Sequence, residues 1–320
     1  MTATQRAAWA WARPLGGAAI LAFVVARLGT GPFLEGVRLV NGWSLLAATS
    51  ITALTTGCSA WRWRTVARGL GVDLSPATAI TACYRSQFLN SALPAGVVGD
   101  VHRGVRHGME SGDVGRGLRA VAWERMAGQA VLVTLALTVL LALDSPVQPV
   151  MRELVPVAVF VGLVLVLGLR ALPADGPSRA ARAVRITRED IRAGLLDRRA
   201  WPVVVATSAV VAVGHAGVFL IAAETTGTHA SPERLWPLAM LVLLAMAVPL
   251  NVGGWGPREG MAAWAFGAAG LGASQGLATA TAYGVMGLVA TLPGAIVLAV
   301  DAVRARRRAS SSAAVDEPVT

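Results

Sequence analysis

The chain alternates long apolar blocks with short breaks rich in arginine or in glycine and proline. Scanning for runs near bilayer length places spans at about 14–30, 43–61, 126–143, 154–171, 201–223, 235–251, 257–272 and 274–300. The last two are interrupted by Gly270, Gly272, Gly276 and Pro293, and the first of them is short, so one is a candidate half-helix. The stretch 77–125 reads differently. Its apolar start, Ala77 to Cys83, gives way to Tyr84, Arg85, Gln87 and Asn90, and then to Pro94, Gly96, Gly99, Asp100 and Arg103. Irregular backbone of that kind is tolerated at membrane depth only against protein or a water-filled cavity, so this stretch is predicted to be re-entrant or interfacial. The expected fold class is therefore all-α: a polytopic integral membrane helix bundle of about eight transmembrane helices plus one re-entrant or interfacial segment.

Composition agrees with the pattern. Of 320 residues, 55% are apolar and 14% charged, where soluble domains carry roughly 25% charged residues. A water-soluble globular enzyme is excluded on that ground. The net charge of +10 comes from 28 basic residues, all of them arginine. They lie between apolar blocks, where lipid head groups are their neighbours, and not on a polar fold interleaved with aromatics; no nucleic-acid partner is expected. The segments 1–13, 62–76, 170–200 and 301–320 together hold 17 arginines, against Arg38, Arg152 and Arg234 in 31–42, 144–153 and 224–234. The positive-inside rule then puts both termini in the cytoplasm and the protein in the cell membrane as a multi-pass chain. Residues 1–300 read as one transmembrane domain, with 171–200 as a basic cytoplasmic loop or an interfacial amphipathic helix, and 301–320 as a disordered basic tail. Arg6 and Arg13 before the first apolar run resemble a signal sequence, but further spans follow, so it reads as an uncleaved helix.

Two Gly/Pro-interrupted segments stand out. One runs from Asn90 through Pro94, Gly96, Gly99 and Asp100 to Arg103; the other runs from Pro249 through Asn251, Gly254, Gly256 and Arg258 to Glu259. Each has a proline followed five positions later by glycine and nine later by arginine. Paired breaks of this kind in two halves point to a binding site at a repeat interface, although the expected topology puts both nearest the cytoplasmic face. Glycine lets backbone N–H groups approach a ligand, and the planar arginine fork matches phosphate. Charge inside a membrane needs a partner. Asp100 with Arg103, Glu124 with Arg125 and Arg258 with Glu259 are available, and Glu124 reaching Arg258 or Glu259 reaching Arg103 stay open. Arg85, Arg125, His102 and His107 also have a plain reading as interfacial groups, His215 as a helix-to-helix hydrogen bonder, and Trp43, Trp61, Trp63, Trp201 and Trp236 as an aromatic belt. Cys58 and Cys83 read as small buried hydrophobes, and no metal or cofactor site is expected.

The stretches Gln87 to Pro94, Gly99 to Arg103, Trp123-Glu124-Arg125-Met126-Ala127-Gly128 and Pro249 to Gly260 resemble the lysylphosphatidylglycerol synthase transmembrane-region family, a flippase-like domain also found in the membrane half of multiple peptide resistance factor. The similarity runs from about 15 to 300. It departs from the usual first motif, which has two glycines before the acidic residue where this chain has Val98-Gly99-Asp100. Bifunctional members add a soluble synthase domain after the membrane region, and aminoacyl transfer is not expected of this chain. The resemblance implies a membrane protein that moves or holds a polar-headed lipid, an anionic phospholipid or a polyprenyl-linked lipid, with a lipid-modifying enzyme as a further partner. Arg103 and Arg258 would bind phosphate, Asp100 and Glu259 orient them, and no P-loop is present to drive transport by ATP. A membrane-embedded transferase with Asp100 or Glu259 as base, and a non-catalytic subunit of a lipid or glycolipid biosynthesis pathway, are the alternatives.

Overall fold

The computed structural model describes residues 22, 25–26, 29–93, 96–172, 178–248 and 255–315. Helix α1 spans Gly31–Arg38, α2 Gly42–Gly69, α3 Pro76–Ala92, α4 Val98–Glu110, α5 Val114–Ala142 and α6 Gln148–Ala171. Then come α7 at Arg179–Asp190, continued by a π-turn at Ile191–Leu195, α8 at Ala200–Thr225, α9 at Pro232–Ala247, α10 at Pro257–Ala268, α11 at Ala273–Ala290 and α12 at Leu292–Val315. The all-helical, polytopic class is as the apolar pattern requires. Among the described residues, Val114–Ala142, Ala200–Thr225 and the consecutive Ala273–Arg304 are clearly long and apolar enough to cross a bilayer. The expected first span, 14–30, falls almost wholly outside the described residues.

Helix starts follow local chemistry. The side chain of Asn41 accepts from Ser44 N at 2.9 Å, and Ser44 Oγ accepts from Asn41 N at 3.1 Å, a reciprocal cap that starts α2. Ser75 caps α3 ahead of Pro76, and Asp113 accepts from Arg116 N at 2.8 Å to start α5.

Several helices outrun the apolar blocks that announced them. The span expected over 43–61 continues to Gly69, and the one expected from 126 begins at Val114. Arg62 and Trp63 are therefore buried helix residues; neither lies in a basic loop or an aromatic belt. The span expected at 274–300 is two consecutive helices that meet at Thr291, and the second runs on to Val315 through the segment predicted as a disordered tail. Residues 179–190 of the expected basic loop form a helix whose Asp190 accepts from Arg119 Nε at 2.8 Å and Trp123 Nε1 at 3.1 Å, seating it on α5.

Two short-helix hairpins define the architecture. Helices α3 and α4 fold back on each other around the break at 93–97, where Gly96 takes a φ of 57°. Helices α9 and α10 do the same around 248–256: Arg234, at the start of α9, donates to the carbonyl of Ala269, just past the end of α10, at 3.0 Å. With 12 residues, α10 rises only ~18 Å, well short of the ~30 Å hydrocarbon core. The region expected to make full crossings at 235–251 and 257–272 is thus a second re-entrant hairpin.

Helices α2 and α8 run antiparallel, with Arg62 against Ser208 and Thr55 against Gly214, so the hairpins that follow them hang from opposite ends of the bundle. At one end Arg64 Nε donates to Leu74 O at 2.6 Å, tying the close of α2 to the segment that enters α3. At the other, Gln275 Nε2 donates to Thr226 O at 2.7 Å and Thr228 Oγ1 at 2.9 Å, tying the start of α11 to the end of α8 and to the entry of α9. The sequence α2–α3–α4–α5 is thus repeated by α8–α9–α10–α11 in the reverse sense across the bundle. This corrects the expectation that both broken segments lie nearest one face, and it is the arrangement that an inverted repeat requires.

Helix contacts are close. A Cβ at Gly99 would meet the backbone of Ser86, one at Gly276 the backbone of Ala262, and one at Gly294 the carbonyl of Tyr84. In lipid, where apolar burial gives helices little reason to associate, such small-residue contacts supply the packing. A separate core of Phe219, Phe266, Leu238, Met240 and Met286 joins α8 to α11.

Candidate functional site

A cavity of about 400 Å³ lies where the two hairpin tips approach each other. The first tip contributes Asn90, Ser91 and Gly96; the second contributes Met246, Ala247, Trp255 and Arg258; α2, α5, α8 and α11 complete the wall with Arg62, Glu124, Arg125, Ser208, His215 and Gly284 among others. Its volume is that of a small-molecule site.

Glu124, fully buried in the middle of α5, organises one side. Its Oε1 accepts from Arg62 Nε at 2.7 Å and its Oε2 from Arg103 Nη2 at 2.7 Å. Arg62 also donates to Ser208 Oγ at 2.9 Å, so the carboxylate joins α2, α4 and α5 and, through Arg62, reaches α8. The expected pairing of Glu124 with Arg125 does not form, nor does Glu124 reach Arg258 or Glu259 reach Arg103. Adjacent residues leave a helix about 100° apart, so Arg125 turns to Asp100 instead.

Asp100 is the second junction. It accepts from Ser86 Oγ at 3.0 Å, Asn90 Nδ2 at 2.7 Å, Arg103 Nη2 at 2.9 Å and Arg125. Asn90 also accepts from Gly99 N at 2.8 Å, closing the hairpin. Arg103 completes its surroundings with Cys83 Sγ at 3.2 Å and lies 4.7 Å from the ring centre of Trp63, which also makes a T-shaped contact with His107. Trp63 and His107, expected at the interface, are buried behind the arginine for that reason.

The second tip carries a simpler pair. Arg258 Nε donates to Glu259 Oε1 at 2.7 Å, and Glu259 Oε2 accepts from Gly256 N at 2.7 Å across a backbone with φ 118° at Gly256. Arg258 lies 4.8 Å from the Trp255 ring centre and 5.7 Å from that of Tyr283, where Gly284 leaves room for its guanidinium. His215 Nδ1 meets Tyr283 Oη at 3.4 Å, the helix-to-helix contact expected of it.

Of the residues singled out in the sequence, the cavity brings together Asn90, Asp100, Arg103, Glu124, Arg125 and Arg258. Gly99, Gly256 and Glu259 act behind them by fixing backbone and guanidinium. Pro94, Asn251 and Gly254 lie outside the described residues.

Arg62 gives little sign in the sequence of its place in the site, because it sits at the edge of an apolar block and counts as a loop charge. The polar stripe Thr52, Thr55, Ser59 and Arg62, at helical spacing, was the available signal. Asp301 was likewise assigned to the tail, yet it accepts from Arg85 Nη1 and Arg106 Nη1, each at 2.7 Å, and pins α12 to the first hairpin. Arg85, expected to snorkel to the interface, is buried by that pairing.

The family model for the lysylphosphatidylglycerol synthase TM region matches residues 10–294. The chain belongs to that family. Comparison with curated proteins and with solved structures returns no match. The lysylphosphatidylglycerol synthase TM region match covers both hairpins and every helix that lines the cavity, and it makes the chain a membrane protein linked to lipid metabolism.

Proposed function

We propose that this protein binds the polar head of a membrane lipid in the cavity between the two hairpin tips and passes it across the bilayer, as a flippase-like protein without a catalytic step. The observation that carries the reading is the meeting of four guanidinium groups, Arg62, Arg103, Arg125 and Arg258, in one cavity reached by hairpins from opposite ends. Buried arginine in a membrane is costly unless it is paired or lines a polar path, and guanidinium is the side chain best matched to phosphate. Each site carboxylate already accepts from arginine, which leaves no carboxylate free to serve as a base and favours binding over transfer chemistry. The lipid is an anionic phospholipid or a polyprenyl-linked lipid, the protein resides in the cell membrane, and a lipid-modifying enzyme is its natural neighbour.

Mass spectrometry of lipids that stay with the purified protein tests this reading, with wild type beside Arg258→Lys. Lysine keeps a cation for Glu259 but loses the planar fork, so one enriched species is expected in wild type and depleted in the variant. Bulk-like lipid in both would move the assignment to an accessory subunit. Orientation is tested separately. Arg152→Cys and Arg185→Cys both place a thiol at an exposed position; position 152 should label from outside and position 185 only after permeabilisation. The reverse pattern would invert the assigned topology.

A further inference from the structure

The two halves of the bundle meet their hairpin arginine with different groups. Ten residues after the start of α5 at Val114 stands Glu124, whose carboxylate accepts from Arg103 at 2.7 Å. Ten residues after the start of α11 at Ala273, in the helix that repeats α5, stands Tyr283, with its ring centre 5.7 Å from the guanidinium carbon of Arg258. The tyrosine hydroxyl turns to α8 and meets His215 Nδ1 at 3.4 Å. Where the first half closes on an ion pair, the second thus presents a phenol and an imidazole.

His215 is half-buried and lines the cavity. Its helix packs against α2, α5, α9, α11 and the π-turn. Of the charged and titratable groups on these elements, α2 brings Arg62 to the cavity wall, α5 brings Glu124 and Arg125, α11 brings Tyr283, and α9 and the π-turn bring none. Across the cavity stand Cys83, Asp100 and Arg103 of the first hairpin and Arg258 of the second. Asp100 and Glu124 are held by arginine, as is Glu259 behind the wall, and Cys83 accepts from Arg103. Arginine keeps its proton throughout. Among the described residues of the wall, His215 is left as the group whose ordinary charge change falls between about pH 5 and 8.

The surroundings can also receive the charged form. An imidazolium donates from both ring nitrogens. Tyr283 Oη can accept one of these hydrogens, and the same wall holds Gln129 Oε1, a buried acceptor without a hydrogen-bond partner, for a donor inside the cavity. Arg62 and Arg258 carry the same sign as a protonated His215. A proton on the ring is therefore compensated only when an anion shares the cavity.

We infer that His215 is a proton-binding site coupled to the lipid: as an anionic head group enters, one ring nitrogen takes a proton from water, and lipid and proton occupy the cavity together. This rests on the lipid-binding reading and adds a second, ionic ligand to it. By linkage, the proton strengthens lipid binding by the same factor as the lipid strengthens proton binding. Opposite charges ~10 Å apart in a protein interior change an affinity by about tenfold. The sign is fixed: lipid affinity rises as pH falls through the imidazole range.

The test is phosphatidylglycerol binding in neutral detergent, since the phosphodiester of that lipid stays ionised throughout. Wild-type affinity is expected to be severalfold higher at about pH 5.5 than at about pH 8, with roughly tenfold as the ceiling. Calorimetry in two buffers of different ionisation heat should show net proton uptake on binding. His215→Gln should bind with the affinity that wild type has at the alkaline end, with neither the slope nor the uptake. A histidine that serves only as a contact between helices would instead lower the variant's affinity equally at every pH and leave the slope in place.

A slope retained in His215→Gln, or a wild type flat in pH that takes up no proton, would overturn the proton site while leaving lipid binding intact. The wild-type proton count decides this alone if the variant does not fold. Absence of bound lipid at every pH would overturn the lipid-binding reading itself.

Discussion

Glu124→Ala is expected to lower stability by about 3–5 kcal/mol, the range for removing one partner of a buried ion pair. The reason lies in what remains. Arg62 and Arg103 both lose their acceptor on α5, inside the protein and away from water, and the contact that joins α2 and α4 to α5 goes with it. Glu124→Gln keeps the shape and one acceptor oxygen, so its loss should be smaller. Thermal melting of the detergent-solubilised protein, followed by intrinsic tryptophan fluorescence, checks both. Equal melting temperatures for wild type and Glu124→Ala would show that the two arginines reach water or another acceptor without it.

The second large effect is expected at a position with no functional group at all. In Gly99→Ala the new methyl would stand against the Cα, carbonyl carbon and oxygen of Ser86, which are backbone atoms that cannot rotate away. The hairpin must open to admit it, at about 1–3 kcal/mol for overpacking of this kind, and opening it separates Asn90 and Ser86 from Asp100. Gly57→Ala is the matched control. A methyl there meets nothing within 4 Å, and in mid-helix alanine is favoured over glycine by up to ~1 kcal/mol. The pair should therefore differ in sign: Gly99→Ala melts earlier and loses bound lipid, whereas Gly57→Ala melts at or above wild type. A neutral Gly99→Ala would mean that α3 and α4 are not held at backbone contact.

How much of this was legible in the sequence depends on what kind of signal each part leaves. The helical membrane class and the re-entrant character of 77–125 follow from apolar block length and from Gly/Pro breaks, which are local properties. The choice of Asp100, Arg103, Glu124 and Arg258 followed from the cost of placing charge among apolar residues. The pairs within one helix, Asp100 with Arg103 and Arg258 with Glu259, followed as well; the partners of Glu124 and Arg125 did not, because they come from different helices and depend on rotation. Glu124 meets Arg62, 62 residues away, and not its neighbour Arg125.

Block length also misled where a helix carries its polar stripe inward. Arg62 and Trp63 lie beyond the last apolar residue of their block, yet α2 continues through them. Asp301, inside α12, was lost for the same reason. The opposite entry of the two hairpins was hidden because the apolar blocks at 235–251 and 257–272 each read as a crossing, whereas the contact between Arg234 and Ala269 shows α10 turning back along α9.

Those glycine contacts have a further meaning for how such a site can be altered. At Gly99 on Ser86, Gly276 on Ala262 and Gly294 on Tyr84 the helices touch through main chain, with no layer of side chains between them. Spacing fixed in this way has no adjustable filler, since the smallest residue is already in place and any exchange only pushes outward. The dimensions of the cavity are consequently inherited with the scaffold, and head-group preference is tuned by exchanging the groups that line it. Redesign for a different lipid belongs at Arg125, Ser208 or Gln129, where a side chain faces the cavity, and not at the seams that set its width.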